Sequence, residues 1–437
     1  MEKRPIDPEE LDESIRYLHQ IIVTHPDNAE ARYEMGRLYS YRQDYRKAIR
    51  YFQMALAIAP DDAATLREMG LAYAYQRDYV RAHEYLRQSL DKAPDDAQTQ
   101  YNMGFVCEER KDTEEAIRHY RRALAIDSGH VAAHTNLAAL LSSQEKYHES
   151  LWHYQQAVAL APDDARLCND LGYTWERIDH YEEALRWFQR ALELAPRDFR
   201  TYYNLGNAYS GLKNQQEALR CYQRVMELKP DFKIVYANIA LAHDRLRHHE
   251  EAIRWFKKAL SVLPKNAPVY TLIGESYYRL RRYEEALGYW KKALAIDPHN
   301  VEALRLAGTA YVELGDFQQA REHFMQAVEL GLHDTWTYQG FGRMYHRMRD
   351  YRRAVAFSKK ALSLDERNAE AWATLGMAYA RLGRRGRGRY CYRRASEAGD
   401  MATTLALLRL RRRRLSRRKA RFEKGFFYLS RKATVEK

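Results

Sequence analysis

The sequence contains 437 residues, of which 46% are hydrophobic, 12% aromatic and 30% charged, and its net charge is +13. This composition is typical of a soluble, helix-rich chain, and no apolar run approaches the ~20 residues that a membrane-spanning helix requires. The polar segment from Met1 to Pro8 predicts no secretory leader. The four cysteines are far apart, which excludes closely spaced metal and redox motifs and favours a reduced, cytoplasmic chain.

The first predicted element is a single helix over residues 11–26. Ser14 and Pro26 stand 34 positions before Ala48 and Pro60, which mark the second helix of the unit that follows. No matching first helix precedes this element in the sequence. We therefore expect residues 1–28 to form a half-repeat that caps the first complete unit.

Eleven units of 34 residues follow over residues 29–402, without insertion or deletion. A small residue occupies the same position in every unit: Gly36, Gly70, Gly104, Ala138, Gly172, Gly206, Ala240, Gly274, Gly308, Gly342 and Gly376. Two helices of about 13 residues and two short turns account for this period, so each unit is predicted to be a helical hairpin. The small residue is expected to let the two helices approach closely, with aromatic residues such as Phe52 between hairpins. One hairpin cannot bury its apolar faces alone, so the units are expected to stack.

The repeat resembles the tetratricopeptide repeat. The resemblance is carried most clearly by the segment 201–209 (Thr-Tyr-Tyr-Asn-Leu-Gly-Asn-Ala-Tyr), by 217–222 (Glu-Ala-Leu-Arg-Cys-Tyr) and by Pro230. It implies an all-α fold, a right-handed α-solenoid superhelix of stacked helix-turn-helix repeats. It also implies that the chain works by binding another protein along an extended groove.

The last predicted element is a basic closing helix and tail over residues 403–437. Its cationic side chains are candidate anion-binding residues: Arg411, Arg412, Arg413, Arg414, Arg417, Arg418, Lys419 and Arg421. Such a cluster can attract RNA, DNA or an anionic membrane, and the alternative is a solubilising helix end without a ligand. Residues 1–200 contain 26 Lys and Arg against 35 Asp and Glu, whereas residues 351–437 contain 25 against 7. This polarity also allows self-association, with the acidic front of one copy on the basic back of another.

A polar row along the first helices is the candidate peptide-binding groove. One position per unit gives Asn102, Asn136, Asp170, Asn204 and Asn238 in five successive units. A side-chain amide can donate to and accept from a peptide backbone at once, so the row suits an extended partner. The row is similar to the asparagine ladder in the superhelix of O-linked N-acetylglucosamine transferases, and Tyr203 and Asn207 are further candidate residues of the groove. A merely solvated polar surface is the alternative, and Asp170 departs from the ladder because an ionised carboxylate only accepts.

Two other kinds of site find no support in the sequence. Asn207 and Asn238 stand where a carboxylate clamp for an acidic C-terminus needs its asparagines, but Pro268 and Leu272 occupy the positions of its cations. No catalytic or phosphate-binding motif is present, and His130 and His134 lack a third metal ligand. We therefore expect no enzyme activity, no cofactor and no metal. The favoured hypothesis is a protein-interaction scaffold, the alternatives being an adaptor for RNA or anionic membrane and a self-assembling structural protein.

Overall fold

The computed structural model describes residues 8–399, which contain twenty-three α-helices and no strand. The chain divides into two compact units, unit 1 (Met1–Lys229) and unit 2 (Pro230–Lys437). The predicted closing helix over residues 403–437, with all eight of its candidate anion-binding residues, lies outside the described residues. Within residues 8–399 no helix combines the length and the apolar character that crossing a bilayer requires.

Unit 1 begins with a single helix and continues as six helical hairpins. Its helices are α1 (Pro8–Thr24), α2 (Ala29–Tyr41), α3 (Tyr45–Leu56), α4 (Ala63–Tyr75), α5 (Tyr79–Lys92), α6 (Ala97–Glu109), α7 (Thr113–Ile126), α8 (Val131–Ser143), α9 (Tyr147–Leu160), α10 (Ala165–Glu176), α11 (Tyr181–Leu194), α12 (Phe199–Gly211) and α13 (Gln215–Leu228). Helix α1 starts and ends slightly before the predicted bounds, packs against α2 and buries Leu11.

Unit 2 contains five hairpins within the described residues. Its helices are α14 (Val235–Arg245), α15 (His249–Val262), α16 (Ala267–Arg279), α17 (Tyr283–Ile296), α18 (Val301–Leu314), α19 (Phe317–Glu329), α20 (Thr335–Arg347), α21 (Tyr351–Leu364), α22 (Ala369–Arg381) and α23 (Arg385–Glu397). In both units the two helices of a hairpin pack on each other, and the second helix packs on the first helix of the next hairpin. The prediction of an all-α stack of helical hairpins is confirmed.

The repeated small residue makes room for a large side chain of the same hairpin. A Cβ added to Gly36 would lie 2.4 Å from Phe52, and one added to Gly274 would lie 2.4 Å from Nε1 of Trp290. Both large side chains are fully buried. Phe52 therefore packs inside its own hairpin, and the prediction that it lies between hairpins is wrong.

The turn between the two helices of a hairpin has a repeated backbone geometry. In the first hairpin Gln43 adopts a left-handed conformation with a φ of 61°, and the N–H of Asp44 donates to the carbonyl of Tyr39 over 2.9 Å. The carboxylate of Asp44 then accepts from the N–H of Lys47 and caps the second helix. Because this turn repeats with little change, equivalent residues of successive hairpins occupy equivalent places.

Candidate functional site

The first helices of successive hairpins lie closer to each other than the second helices do. In unit 1, α2 contacts α4, α4 contacts α6, and α10 contacts α12; in unit 2, the helices α16, α18, α20 and α22 contact one another in turn. Among the described helices, no comparable contact joins successive second helices. The first helices thus form the more closely spaced side of each stack, which we call the inner face.

The residues of the predicted ladder lie on the inner face but are less solvated than the sequence suggests. Asn102 is only 2% exposed, so the expectation of a solvated side chain is wrong at this position. Its Oδ1 accepts from Nε2 of Gln98 over 3.0 Å, and its Nδ2 is buried without a partner. Asn136, Asp170, Asn204 and Asn238 are half-buried. Four of the five ladder residues are therefore partly exposed, and Asn102 is not.

Asn136 is held by two aromatic hydroxyl groups. Its Nδ2 donates to the hydroxyl of Tyr120 over 3.2 Å and lies 3.4 Å from the hydroxyl of Tyr101. The hydroxyl of Tyr120 in turn donates to Oε2 of Glu108 over 2.7 Å. Burial raises the pKa of Glu108, and the bond from Tyr120 counteracts this shift. The amide of Asn136 is therefore fixed in orientation by groups that are themselves hydrogen-bonded.

Asn204 and Asp170 are linked through a residue that the ladder did not include. Nδ2 of Asn204 donates to Oδ1 of Asn169 over 3.0 Å, and Nδ2 of Asn169 donates to Oδ1 of Asp170 over 3.3 Å. Burial raises the pKa of Asp170. The three side chains form a polar chain that joins α10 to α12.

The remaining predicted groove residues also have partners within the chain. Oδ1 of Asn207 accepts from the hydroxyl of Tyr222 over 2.9 Å, and the ring of Tyr203 lies 6.2 Å from the ring of Tyr222. Asn238, in unit 2, likewise has an interaction partner. The structure thus brings Asn136, Asp170 and Asn204 to one face of unit 1, each already oriented by neighbours.

Sequence reasoning missed two carboxylates on the inner face of unit 1. Glu108 and Glu176 occupy the same position of their repeats, where Ser142 stands in the hairpin between them. Burial raises the pKa of Glu176 to about 7, and its buried Oε2 has no hydrogen-bond partner. The next repeat has a small polar residue at this position in each case. This difference is the sequence signal that could have identified the two carboxylates.

Tyr173 presents an exposed aromatic ring beside this polar row. It lies three residues after Asp170 on α10, hence on the same helix face, and it is 43% exposed. Tyrosine combines a large apolar surface with a polar end, so exposed tyrosines are frequent contact residues in interfaces. The inner face of unit 1 therefore combines oriented hydrogen-bonding groups with an exposed aromatic ring.

The inner face of unit 2 carries charged networks. Nη2 of Arg343 lies 2.7 Å from Oε1 of Glu313 and 3.1 Å from the hydroxyl of Tyr278, two hairpins away. Further towards the start of unit 2, the carboxylate of Asp244 accepts from Ser276 and pairs with Arg279. These charges largely neutralise one another, which distinguishes this surface from that of unit 1.

A basic cluster is present at the end of the described residues. Residues 381–394, in α22 and α23, contain seven arginines and no acidic residue. Among the described residues, only Arg394 of these arginines forms ion pairs, with Glu366 and Glu397. The remaining guanidinium groups are exposed. A concentration of cationic charge therefore exists upstream of the predicted anion-binding residues.

The side chains of His130 and His134 have hydrogen-bond partners other than each other: Nδ1 of His130 accepts from the N–H of Ala133. His134 is 3% exposed, and its Nδ1 lies 2.9 Å from Nδ1 of His153 on α9. Nε2 of His134 lies 3.2 Å from the carbonyl oxygen of Ser128. Burial lowers the pKa of His153 to about 4 and also lowers that of His134. The rings of His134 and His153 thus form a neutral hydrogen-bonded pair in the interior.

Several family models match the chain. Models described as tetratricopeptide repeat match residues 9–63, 37–101, 97–130, 199–232, 235–266, 266–332 and 337–368, and one described as TPR repeat matches residues 180–213. Together these segments cover more than half of the 437 residues. No curated protein matches the chain.

Three solved structures illustrate the likeness to known proteins. MamA from Desulfovibrio magneticus RS-1 is 24% identical and matches over 38% of this chain and 95% of its own, with a TM-score of 0.37. Yeast Tom70 is 14% identical, with 89% and 96% of the two chains covered and a TM-score of 0.42. YrrB, described as a tetratricopeptide protein with an unusual peptide-binding site, is 22% identical, with 42% and 94% covered and a TM-score of 0.38.

Proposed function

The chain belongs to the tetratricopeptide repeat family, and we propose that it is a non-enzymatic scaffold that binds an extended segment of another protein on its inner face. The proposal rests on the surface that the first helices α8, α10 and α12 of unit 1 present. There Asn136, Asp170 and Asn204 are half-buried and held in fixed orientations, and the exposed ring of Tyr173 lies beside them. A preorganised polar row reduces the entropy that binding an extended segment costs.

The chemistry of this surface favours donors on the partner. Asp170 and Glu176 are acceptors when ionised, and Oδ1 of Asn204 makes no hydrogen bond within the described residues. The backbone N–H groups of an extended peptide would satisfy such acceptors and Oδ1 of Asn136, whose two amide N–H groups already donate to tyrosine hydroxyls. The carbonyl groups of the peptide would accept the remaining amide N–H of Asn204. An aromatic or aliphatic side chain of the partner would then contact Tyr173.

The test uses peptides selected from a displayed random library for binding to the full-length chain. The affinity of the selected peptides is then measured for the double variant Asn136→Ala and Asn204→Ala. Two lost hydrogen bonds of about 0.5–1.5 kcal/mol each predict affinity that is about 5- to 150-fold weaker. The control is Gln216→Ala, which removes an exposed amide from the second helix α13. Equal affinity of the double variant and the wild type would refute the proposal.

A second function, the binding of a polyanion such as RNA or an anionic membrane, is favoured by the arginines of residues 381–394. The absence of acidic residues in this segment leaves its positive charge largely uncompensated. Phosphate groups attract such clusters through long-range electrostatics and the release of counterions. The candidate anion-binding residues within 411–421 would add further positive charge to this cluster. Binding of single-stranded RNA or of anionic vesicles that weakens steeply with salt would support this second function.

A further inference from the structure

The third hairpin (α6 and α7) lacks an aromatic pair that packs between the two helices of several other hairpins. In several hairpins a tyrosine of the first helix stacks on a tyrosine of the second: Tyr39 on Tyr51 with ring centroids 5.4 Å apart, Tyr73 on Tyr85 at 5.5 Å, and Tyr277 on Tyr289 at 5.3 Å. The equivalent residues of the third hairpin are Cys107 on α6 and His119 on α7. A thiol and an imidazole thus replace a pair of stacked phenol rings.

A second departure occurs on the neighbouring helix. His83 on α5 occupies the position that other second helices fill with buried aliphatic residues, namely Ile49, Ile117, Leu151, Ile253 and Leu287. The imidazole of His83 is half-buried and makes no hydrogen bond or ion pair within the described part of the chain. Both ring nitrogens of His83 are thus left without a partner in the described part of the chain.

His83 and Cys107 lie close to each other and to the carboxylate of Glu115. A ring nitrogen of His83, Sγ of Cys107 and a carboxylate oxygen of Glu115 all lie within 4.8 Å of one another. Cys107 is fully buried, and His83 and Glu115 are half-buried. The three residues come from three consecutive helices, α5, α6 and α7. Among the described residues, this is the only group of three or more potential ligands that is close enough to hold a metal ion.

We propose that His83, Cys107 and Glu115 form a zinc site. Zinc binds imidazole nitrogen, thiolate and carboxylate oxygen at about 2.0–2.3 Å and prefers a tetrahedral arrangement, in which neighbouring ligand atoms are about 3.3–3.8 Å apart. The observed separations need to close by only about 1 Å, which side-chain torsions can supply. Three protein ligands leave one position for a water molecule or a fourth residue.

The surroundings of the cluster are consistent with this assignment. The present partner of Glu115 is Arg118, whose Nη2 lies 3.7 Å away and whose side chain is 68% exposed, so the ion pair is weak and a metal can replace it. His119 lies one turn after Glu115, and its Nδ1 is 2.8 Å from Oε1 of Gln100, which fixes the ring. His119 is therefore held by Gln100 and is not one of the three candidate ligands.

The experiment titrates zinc into the full-length chain after chelation and dialysis, with calorimetry and metal analysis as readouts. Cobalt replaces zinc in a parallel titration, because thiolate coordination of cobalt gives a charge-transfer band. The variants are His83→Ile, which introduces the residue present at 49 and 117, and Cys107→Ser. The control is Cys168→Ser, which changes another buried cysteine.

The proposal expects one zinc ion per wild-type chain. Removing a group that supports a ligand typically weakens metal binding 10- to 100-fold, so loss of a ligand should weaken it by at least about 100-fold in both variants. The cobalt–thiolate band should be absent in Cys107→Ser and present in Cys168→Ser. The His83→Ile variant should fold without metal, which circular dichroism checks. Binding of no zinc by the wild type, or wild-type affinity in either variant, would overturn the site.

Discussion

The side-chain amide of Asn204 donates to the side-chain carbonyl of Asn169 in the preceding hairpin, over 3.0 Å. The ladder predicted from the sequence is therefore also a contact between hairpins. Its side chains are oriented before any partner arrives, and a partner must use the atoms that remain or displace this bond. The same residues thus contribute to stability as well as to the proposed binding.

Removing these amides should consequently destabilise the fold. We expect Asn136→Ala and Asn204→Ala each to lower the free energy of unfolding by about 0.5–1.5 kcal/mol, because each loses a hydrogen bond that is partly shielded from water. Urea denaturation of the full-length chain measures the effect. Gln216→Ala, on an exposed second-helix surface, should change stability by less than about 0.5 kcal/mol. Identical stability of all four proteins would show that the ladder bonds contribute nothing to the fold.

The small-residue position should be intolerant of a methyl group where it faces tryptophan. The new Cβ of Gly274→Ala would overlap Trp290, whose Nε1 donates to the carbonyl of Thr271 over 3.1 Å, so the ring cannot shift without losing this bond. We expect a loss of about 1–3 kcal/mol. Gly288→Ala is the matched control, since nothing lies within 4 Å of its added Cβ. That change should instead stabilise α17 by about 0.5–1 kcal/mol. Thermal unfolding of both variants decides the point.

The fold followed from the sequence because the repeat period alone specifies a helical hairpin, and the unbroken period specifies stacking. The candidate site followed less well. Asn102 and Asn136 occupy the same repeat position, yet only Asn102 is fully buried, because burial depends on the neighbouring side chains and not on the period. The cluster of His83, Cys107 and Glu115 escaped prediction for the same reason. Its members are distant in sequence and meet only because consecutive helices pack.

Glu176 should make stability fall as the pH rises. Burial raises its pKa to about 7, so the native state binds the proton more tightly than the unfolded chain does. The stabilisation is fully present below the ordinary pKa of glutamate and is lost as the pH rises through 7. Between pH 5 and pH 8 the free energy of unfolding of the wild type should fall by about 2 kcal/mol more than that of Glu176→Gln. Urea denaturation at the two pH values measures it, with the exposed Glu182→Gln as control. An unchanged pH dependence in Glu176→Gln would contradict the burial of this carboxylate.

The buried histidine pair should have the opposite effect. Burial lowers the pKa of His153 to about 4, so the native state disfavours the protonated ring. The stability is fully present above the ordinary pKa of histidine and is lost as the pH falls from about 6.5 towards 4. We expect His153→Phe, which places an aromatic residue like Phe357 at this repeat position, to reduce the loss between pH 7 and pH 5 by about 1–2 kcal/mol. A loss as large as that of the wild type would argue against a neutral buried pair.

The arginines of residues 381–394 should contribute to polyanion binding. We expect the triple variant Arg384→Gln, Arg385→Gln and Arg389→Gln to bind single-stranded RNA more weakly. The slope of log affinity against log salt should become shallower by about 2, since each lost phosphate contact changes it by about 0.7. Fluorescence anisotropy over a range of salt concentrations measures the slope, and Arg220→Gln in unit 1 is the control. If the triple variant binds RNA as tightly as the wild type and only removal of residues 403–437 weakens binding, the tail alone binds the RNA.

Site-directed photo-crosslinking shows whether a partner segment binds the inner face. A photoreactive amino acid replaces either Tyr173, exposed on the first helix α10, or Trp152, which is 53% exposed on the second helix α9. Each full-length protein is irradiated with a peptide selected for binding to the wild type, and the yield of crosslinked peptide is measured. Binding on the inner face predicts efficient crosslinking at position 173 and little at position 152. Crosslinking at position 152 that equals or exceeds that at position 173 would contradict it.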